Sequence, residues 1–153
     1  MAVTIRAAVA QDFPALYALD QACFAPGISW TQAELQYFLR YPGNIAVVAE
    51  HDGRIAGFTI AGMQRRRGAL VGRLITIDVD PSLRRVGIGD RLMRTIEEQL
   101  RARGAGAILL EVAIDNRGAQ EFYARHGFVK TGRIPGYYLG RIDALVMEKA
   151  LSF

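Results

Sequence analysis

The sequence predicts an α/β domain, with helices packed on a mixed parallel and antiparallel sheet, and three observations carry that expectation. The apolar run Leu74, Ile75, Ile77 and Val79 is rich in β-branched residues and reads as a strand, while Ile88, Leu92, Met93, Ile96 and Leu100 after it share one helical face. A second apolar run at 108–112 follows that helix, so the three elements form a right-handed βαβ crossover. Two other runs, Ile45 to Ala49 and Ile55 to Met63, flank His51-Asp52-Gly53-Arg54, a tight-turn signal that makes this part of the sheet antiparallel.

The remaining elements follow in order. Val3 to Arg6 reads as a first strand, and Asp12 as the N-cap of a helix through Leu16 and Leu19, with Pro14 tolerated in its first turn. Thr31 and Glu34 form a capping box that opens a helix through Leu35, Phe38 and Leu39. The long helix runs from Gly89 to about Arg103, with Gly104 as its stop. Asn116 caps a short helix that ends at His126 and Gly127, and Phe128 to Ile134 and Ala144 to Leu151 complete the sheet. The sum is about seven strands and about four helices in one domain, 1–153, without repeats or a linker.

Composition narrows the function classes. At 153 residues, 51% hydrophobic and 22% charged, the chain suits one soluble globular domain. No apolar run is long enough to span a bilayer, and the opening residues lack the basic-then-apolar layout of a signal peptide, so no membrane partner is expected and the cytoplasm is the expected compartment. Cys23 is the one cysteine, which excludes an internal disulfide and a cysteine-rich zinc site, and no metal is expected. The net charge of +4 favours an anionic ligand. Arg65, Arg66 and Arg67 read as a solvated hairpin tip, and without interleaved aromatics they make no case for nucleic acid.

The segment Asp78 to Gly89 joins strand to helix. Backbone N–H groups at a helix N-terminus lack intrahelical partners and point outward with the positive end of the dipole, an anion site that Gly87 and Gly89 leave open to close approach. A phosphate-bearing cofactor is the expected ligand. A dinucleotide fold would need a third glycine where Leu92 stands, although Glu111 lies where a ribose-binding acid sits in such folds, so that reading stays open. A Walker loop fails for want of Gly-Lys-Ser/Thr.

Arg84-x-x-Gly87-x-Gly89, preceded by Val79-Asp80-Pro81, resembles the acetyl-CoA signature of the GCN5-related N-acetyltransferase (GNAT) superfamily. A second block strengthens the likeness: Leu110-Glu111-Val112, then Asn116, Ala119, Phe122-Tyr123 and Gly127-Phe128. The resemblance covers essentially the whole chain and is greatest to the RimI-type ribosomal-protein N-terminal alanine acetyltransferases. It implies acetyl-CoA as cosubstrate, held by Ile77, Val79, Arg84, Arg85, Val86, Gly87, Ile88, Gly89, Asn116 and Tyr123, with main-chain N–H near Val79 on the thioester carbonyl. It also assigns Glu111 to deprotonating the amine and Tyr123 to protonating the departing thiolate. For the acceptor it points to Gly136-Tyr137-Tyr138 as a loop wall and to Phe24 and Trp30 opposite, although the family's compact Phe-x-x-Pro-Trp-like segment is stretched here between Phe24 and Trp30.

Three functions follow from the resemblance. The first is acetyl transfer to a protein N-terminal α-amine; the second is transfer to a small amine or a lysine side chain; the third is a non-catalytic module that binds CoA or a nucleotide. A small-amine enzyme needs acids in its acceptor pocket, and Asp20, Glu34, Glu50 and Asp143 are too scattered in sequence to judge. A monomer or weak homodimer is expected.

Overall fold

The computed structural model describes residues 2–151; Met1, Ser152 and Phe153 of the expected domain lie outside the described residues. Period-two apolar segments form β1 (Thr4–Ala7), β2 (Ile45–His51), β3 (Arg54–Arg66), β4 (Ala69–Val79), β5 (Ala107–Ala113), β6 (Val129–Tyr138) and β7 (Ile142–Ala150). They make one seven-stranded sheet in the order β1-β2-β3-β4-β5-β7-β6. Every neighbouring pair is antiparallel except β4 and β5. That parallel pair touches only at Gly72–Ile108 and Arg73–Leu109, and beyond it the two strands diverge.

Helices cover both faces. On one side α1 (Phe13–Cys23) and α2 (Gln32–Arg40) bury Leu16, Leu19 and Leu35 against Val48, Phe58 and Ile60. On the other α3 (Ile88–Ala102) buries Leu92, Met93, Ile96 and Leu100 against Leu74, Ile108 and Leu110, and the short α4 (Arg117–Arg125) adds Tyr123 to that cluster. A residue that buries about 100 Å² of side chain in such a layer contributes roughly 2 kcal/mol, so the two layers fix the sheet between them. Among the described residues no helix is long and apolar enough to cross a membrane.

A bulge in β4 sets the faces of the site. Ala61 pairs with Leu74 and Ile60 with Thr76, so Ile75 is the extra residue and the alternation resets there. After the reset Ile77 and Val79 pack toward the α3 layer, while Thr76 and Asp78 share the face of Phe58 and Ile60 under α1.

Some sequence expectations hold and others change in detail. Asp12 stands at the N-cap position of α1 but makes no cap bond; its carboxylate accepts from the Val9 N–H at 2.8 Å and pairs with Arg6, which turns the chain into a 3₁₀ turn first. The Arg65–Arg67 cluster does end a hairpin, with Arg67 and Gly68 at φ +52° and +81° and Arg66 bonded to Glu148. Thr31 and Glu34 make both bonds of the capping box. Tyr137 and Tyr138 belong to the end of β6 rather than to a loop, because Asp143 accepts from the Gly136 N–H at 2.9 Å and ties that segment to β7.

Candidate active site

The divergence of β4 from β5 leaves strand edges without a partner. The Asp80 N–H bonds the Ala56 carbonyl at 2.8 Å, so by the alternation of an antiparallel ladder the N–H groups of Val79 and Ile77 point away from β3, into the gap. The Val79 carbonyl is used, accepting from Cys23 Sγ at 3.4 Å and Arg84 Nε at 3.3 Å.

At the mouth of the gap the chain turns through Arg84, Arg85 and Val86 into α3. Arg85 and Gly87 take positive φ, +68° and +88°, and Gly87 is the N-cap. Left-handed residues at a helix start turn successive N–H groups to one concave side, and among the described residues none of the amide hydrogens of 85–89 is bonded by the chain. A Cβ at Gly87 would meet nothing within 4 Å, as expected of a cradle open to a ligand. Gly89 also has a packing reason: a Cβ there would come within 3.1 Å of the Phe122 ring, so this glycine lets α4 pack on the first turn of α3. Val86 is exposed, Ile88 is buried in the core, and Asn116 Oδ1 accepts the Ala119 N–H at 3.1 Å, capping α4.

Glu111 lies on β5 between Leu110 and Val112, both in the α3 layer, and therefore faces the opposite side of the sheet. That orientation takes it away from α3 and from the ribose position a dinucleotide fold requires. Its Oε1 accepts from Arg73 Nη2 and from the Tyr137 hydroxyl at 3.1 Å, and Arg73 Nη2 also reaches that hydroxyl at 3.3 Å. Burial and the nearby Glu111 charge raise the Tyr137 phenol above its ordinary range. Glu111, the residue the resemblance assigns as base, is thus held by an arginine and a tyrosine on this face of the sheet.

Tyr123 sits in the α3 layer edge-on to Phe122 and Phe128, and it is 8% exposed. No hydrogen bond within the described residues engages its hydroxyl. Burial, with smaller contributions from Asp78 and Tyr138, holds the phenol far above its usual value, so it is protonated throughout the neutral range. Those two neighbours belong to β4 and β6, which places Tyr123 at the gap between the halves of the sheet.

Two walls flank the Glu111 side. The α1–α2 connection carries Phe24 and Trp30, both half-buried; Trp30 packs edge-on against Phe38 with centroids 4.8 Å apart. The β6–β7 end carries Tyr137 and Tyr138, whose rings lie 4.9 Å apart. The walls touch where Gly27, at φ +86°, lies under Leu139; a Cβ at Gly27 would fall 2.3 Å from a Leu139 methyl.

Sequence reasoning missed two features, Arg73 and a buried acid pair. Arg73 breaks an apolar strand with a charge, which was its signal. Asp78 and Asp20 are 1% and 0% exposed and meet as a buried acid pair: Asp20 Oδ2 accepts the Trp30 N–H at 2.7 Å, and Asp78 takes the Thr76 hydroxyl at 2.5 Å. Asp78 Oδ2 and Asp20 Oδ1 have no hydrogen-bond partner among the described residues, and burial together with the neighbouring Asp20 raises Asp78 well above the carboxylate range. The four acids that a small-amine pocket required are committed elsewhere: Asp20 here, Glu34 in the capping box, Glu50 with Arg6, and Asp143 with Arg133 and Gly136.

With this geometry in view, comparison with known proteins is direct. The profile of the Acetyltransferase (GNAT) family matches residues 13–128. The N-alpha-acetyltransferase RimI of Mycobacterium tuberculosis is 33% identical, over 96% of this chain and 92% of that protein. The crystal structure of Ard1 from Thermoplasma volcanium superposes with a TM-score of 0.89 at 28% identity, covering 100% of both chains. The ribosomal-protein-S18-alanine N-acetyltransferase from Escherichia coli superposes at 0.84 and 27% identity, over 99% of this chain and 96% of that one. A likeness that spans the splayed strands, the amide cradle and both walls identifies the chain as a member of the GNAT family of acetyltransferases.

Proposed function

We propose that this enzyme transfers the acetyl group of acetyl-CoA directly to the α-amine at the N-terminus of a protein or peptide. The observation that carries the reading is the gap between β4 and β5, with free amides of the cradle at one mouth and Glu111 between two walls at the other. The relatives named above, whose names describe N-alpha- and alanine N-acetyltransferases, support it.

Each residue has a task that its surroundings suit. The N–H groups of 85–89, with Arg84 and Arg85 beside them, hold the diphosphate, and Asn116 adds a side-chain contact. The Val79 N–H polarises the thioester carbonyl in the gap. Glu111, bonded to Arg73, is a weak base, so it takes the amine proton through a water rather than by direct contact. An α-amine has a reference pKa of about 8 against about 10.4 for lysine, so roughly a tenth of it is already neutral at pH 7 and a weak base suffices. Tyr123 gives its proton to the departing thiolate; the dry site that raises the phenol raises the thiol as well, which keeps the transfer feasible. Phe24, Trp30, Tyr137 and Tyr138 contact the first acceptor residues.

The test is release of free thiol from acetyl-CoA with Ala- and Ser-started peptides, beside the same peptides blocked at the N-terminus and carrying an internal lysine. Release with free N-termini alone supports the proposal; release only with lysine or small amines overturns it.

A further inference from the structure

The guanidinium of Arg73 is only partly used. Arginine offers five N–H donors in a planar fork, yet both of its bonds, to Glu111 and to Tyr137, leave from Nη2. Nε and Nη1 have no partner among the described residues. The side chain is 38% exposed, so those donors stay within reach of solvent and of an arriving anion while the guanidinium itself is held in place by Glu111.

The surroundings say where such an anion would come from. Arg73 closes a groove of about 210 Å³ formed with Tyr37 and Phe38 of α2, Tyr41 at its C-cap, and Asn44 and Gln64. Arg73 is the one charged residue lining it, and no acid does. The Tyr37 and Tyr41 rings, 58% and 50% exposed, are one helical turn apart and form an open wall. The groove lies on the sheet face that bears Glu111, because Arg73 is bonded to that residue, so anything in it is continuous with the proposed acceptor site.

We infer that Arg73 is a specificity residue that receives a carboxylate from the acceptor, the Asp or Glu side chain of a peptide within its first few residues. The inference rests on the proposed acetylation of N-terminal amines. A carboxylate matches the open edge of the fork and takes two parallel bonds from Nε and Nη1, while Nη2 keeps its hold on Glu111. A lysine in the same place meets the open, cationic edge of the fork, with no acid among the groove's own lining residues to receive it, and is disfavoured. A free amino acid carries the same chemistry, an amine close to a carboxylate, and is the alternative source.

The experiment compares kcat/KM for peptides that begin Ala or Ser and carry Asp or Glu, Asn or Gln, or Lys at positions 2 to 4, alongside free alanine and glutamate. It uses the whole protein and its Arg73→Gln and Arg73→Lys variants. Acidic peptides are expected to exceed their amide counterparts roughly ten- to hundredfold at one of those positions at low salt, the size of a charge-assisted pair. Arg73→Gln brings that ratio close to one, and Arg73→Lys retains part of it. The ratio is formed within each protein, so a general loss of activity or folding in a variant does not imitate the result. An acid-to-amide ratio near one in the unaltered protein, or one that survives in Arg73→Gln, overturns the inference while leaving N-terminal acetylation standing. Turnover of free amino acids in preference to every peptide overturns the peptide source. Failure of all peptides, with lysine or small amines turned over instead, overturns the proposed function itself.

Discussion

Asp78 on β4 and Asp20 on α1 meet as a pair of acids sealed from solvent, and the pairing raises Asp78 well above the carboxylate range. Asp20 in turn holds the Trp30 N–H, so the buried pair links the strand beside Val79 to the wall that carries Trp30. The folded pKa of Asp78 lies above its unfolded value of about 3.9, so the stabilisation is complete below that pH and drains away as pH rises through the folded pKa. Thermal stability is therefore expected to fall toward alkaline pH. Asp78→Asn, whose neutral amide can donate toward Asp20 and does not titrate, should flatten that decline, with a gap of about 3 °C for each kcal/mol recovered. Melting curves from pH 5 to 9 check this; parallel declines in the two proteins would refute it.

Gly87 and Gly89 should fail differently. Gly89→Val drives a branched side chain into Phe122 and should cost roughly 1–3 kcal/mol of stability through overpacking, with acetyl-CoA affinity falling as α4 is displaced. Gly87→Ala meets open space and bears only the strain of φ +88°, roughly 1–2 kcal/mol. Urea denaturation and calorimetric titration with CoA separate the two; equal stability losses would speak against packing as the reason for Gly89.

Tyr123→Phe keeps the ring in its aromatic cluster and deletes only the hydroxyl, which has no hydrogen-bond partner among the described residues. Its stability should stay within about 1 kcal/mol, while kcat falls about a hundredfold with little change in KM for acetyl-CoA. Unchanged kcat would remove Tyr123 from the proton path.

Asp143 holds the Gly136 N–H and Arg133, and through them the strand end that presents Tyr137 and Tyr138. Asp143→Ala is expected to raise KM for the acceptor several-fold and to leave KM for acetyl-CoA unaltered. Steady-state kinetics with each substrate varied decides it, and an effect confined to acetyl-CoA would contradict the assignment.

The parts of this protein that were legible in its sequence are those set by neighbours along the chain. The βαβ unit, both ends of α4, the Thr31–Glu34 box and the Asp52-Gly53 turn each follow from periodicity or from a turn residue. Glu111 and Tyr123 stood out through the motif around them. Arg73 did not, since its partner lies 38 residues away and the pairing exists only because β4 and β5 touch at Arg73 and then part. The acid pair was hidden for a related reason: the bulge at Ile75 turns Asp78 toward α1, and one extra residue in a strand leaves no mark on composition. Asp12 misled because Arg6, two elements away from any cap, competes for its carboxylate.

The most direct measurement is a crystal structure with a peptide joined through its α-amine to coenzyme A. The diphosphate is expected on the N–H groups of residues 85 to 89, the junction between β4 and β5 next to Val79 and Tyr123, and the peptide between the Phe24–Trp30 and Tyr137–Tyr138 walls with its amine end at Glu111. A conjugate bound with the cradle vacant, or with its peptide directed away from Glu111, would contradict the account.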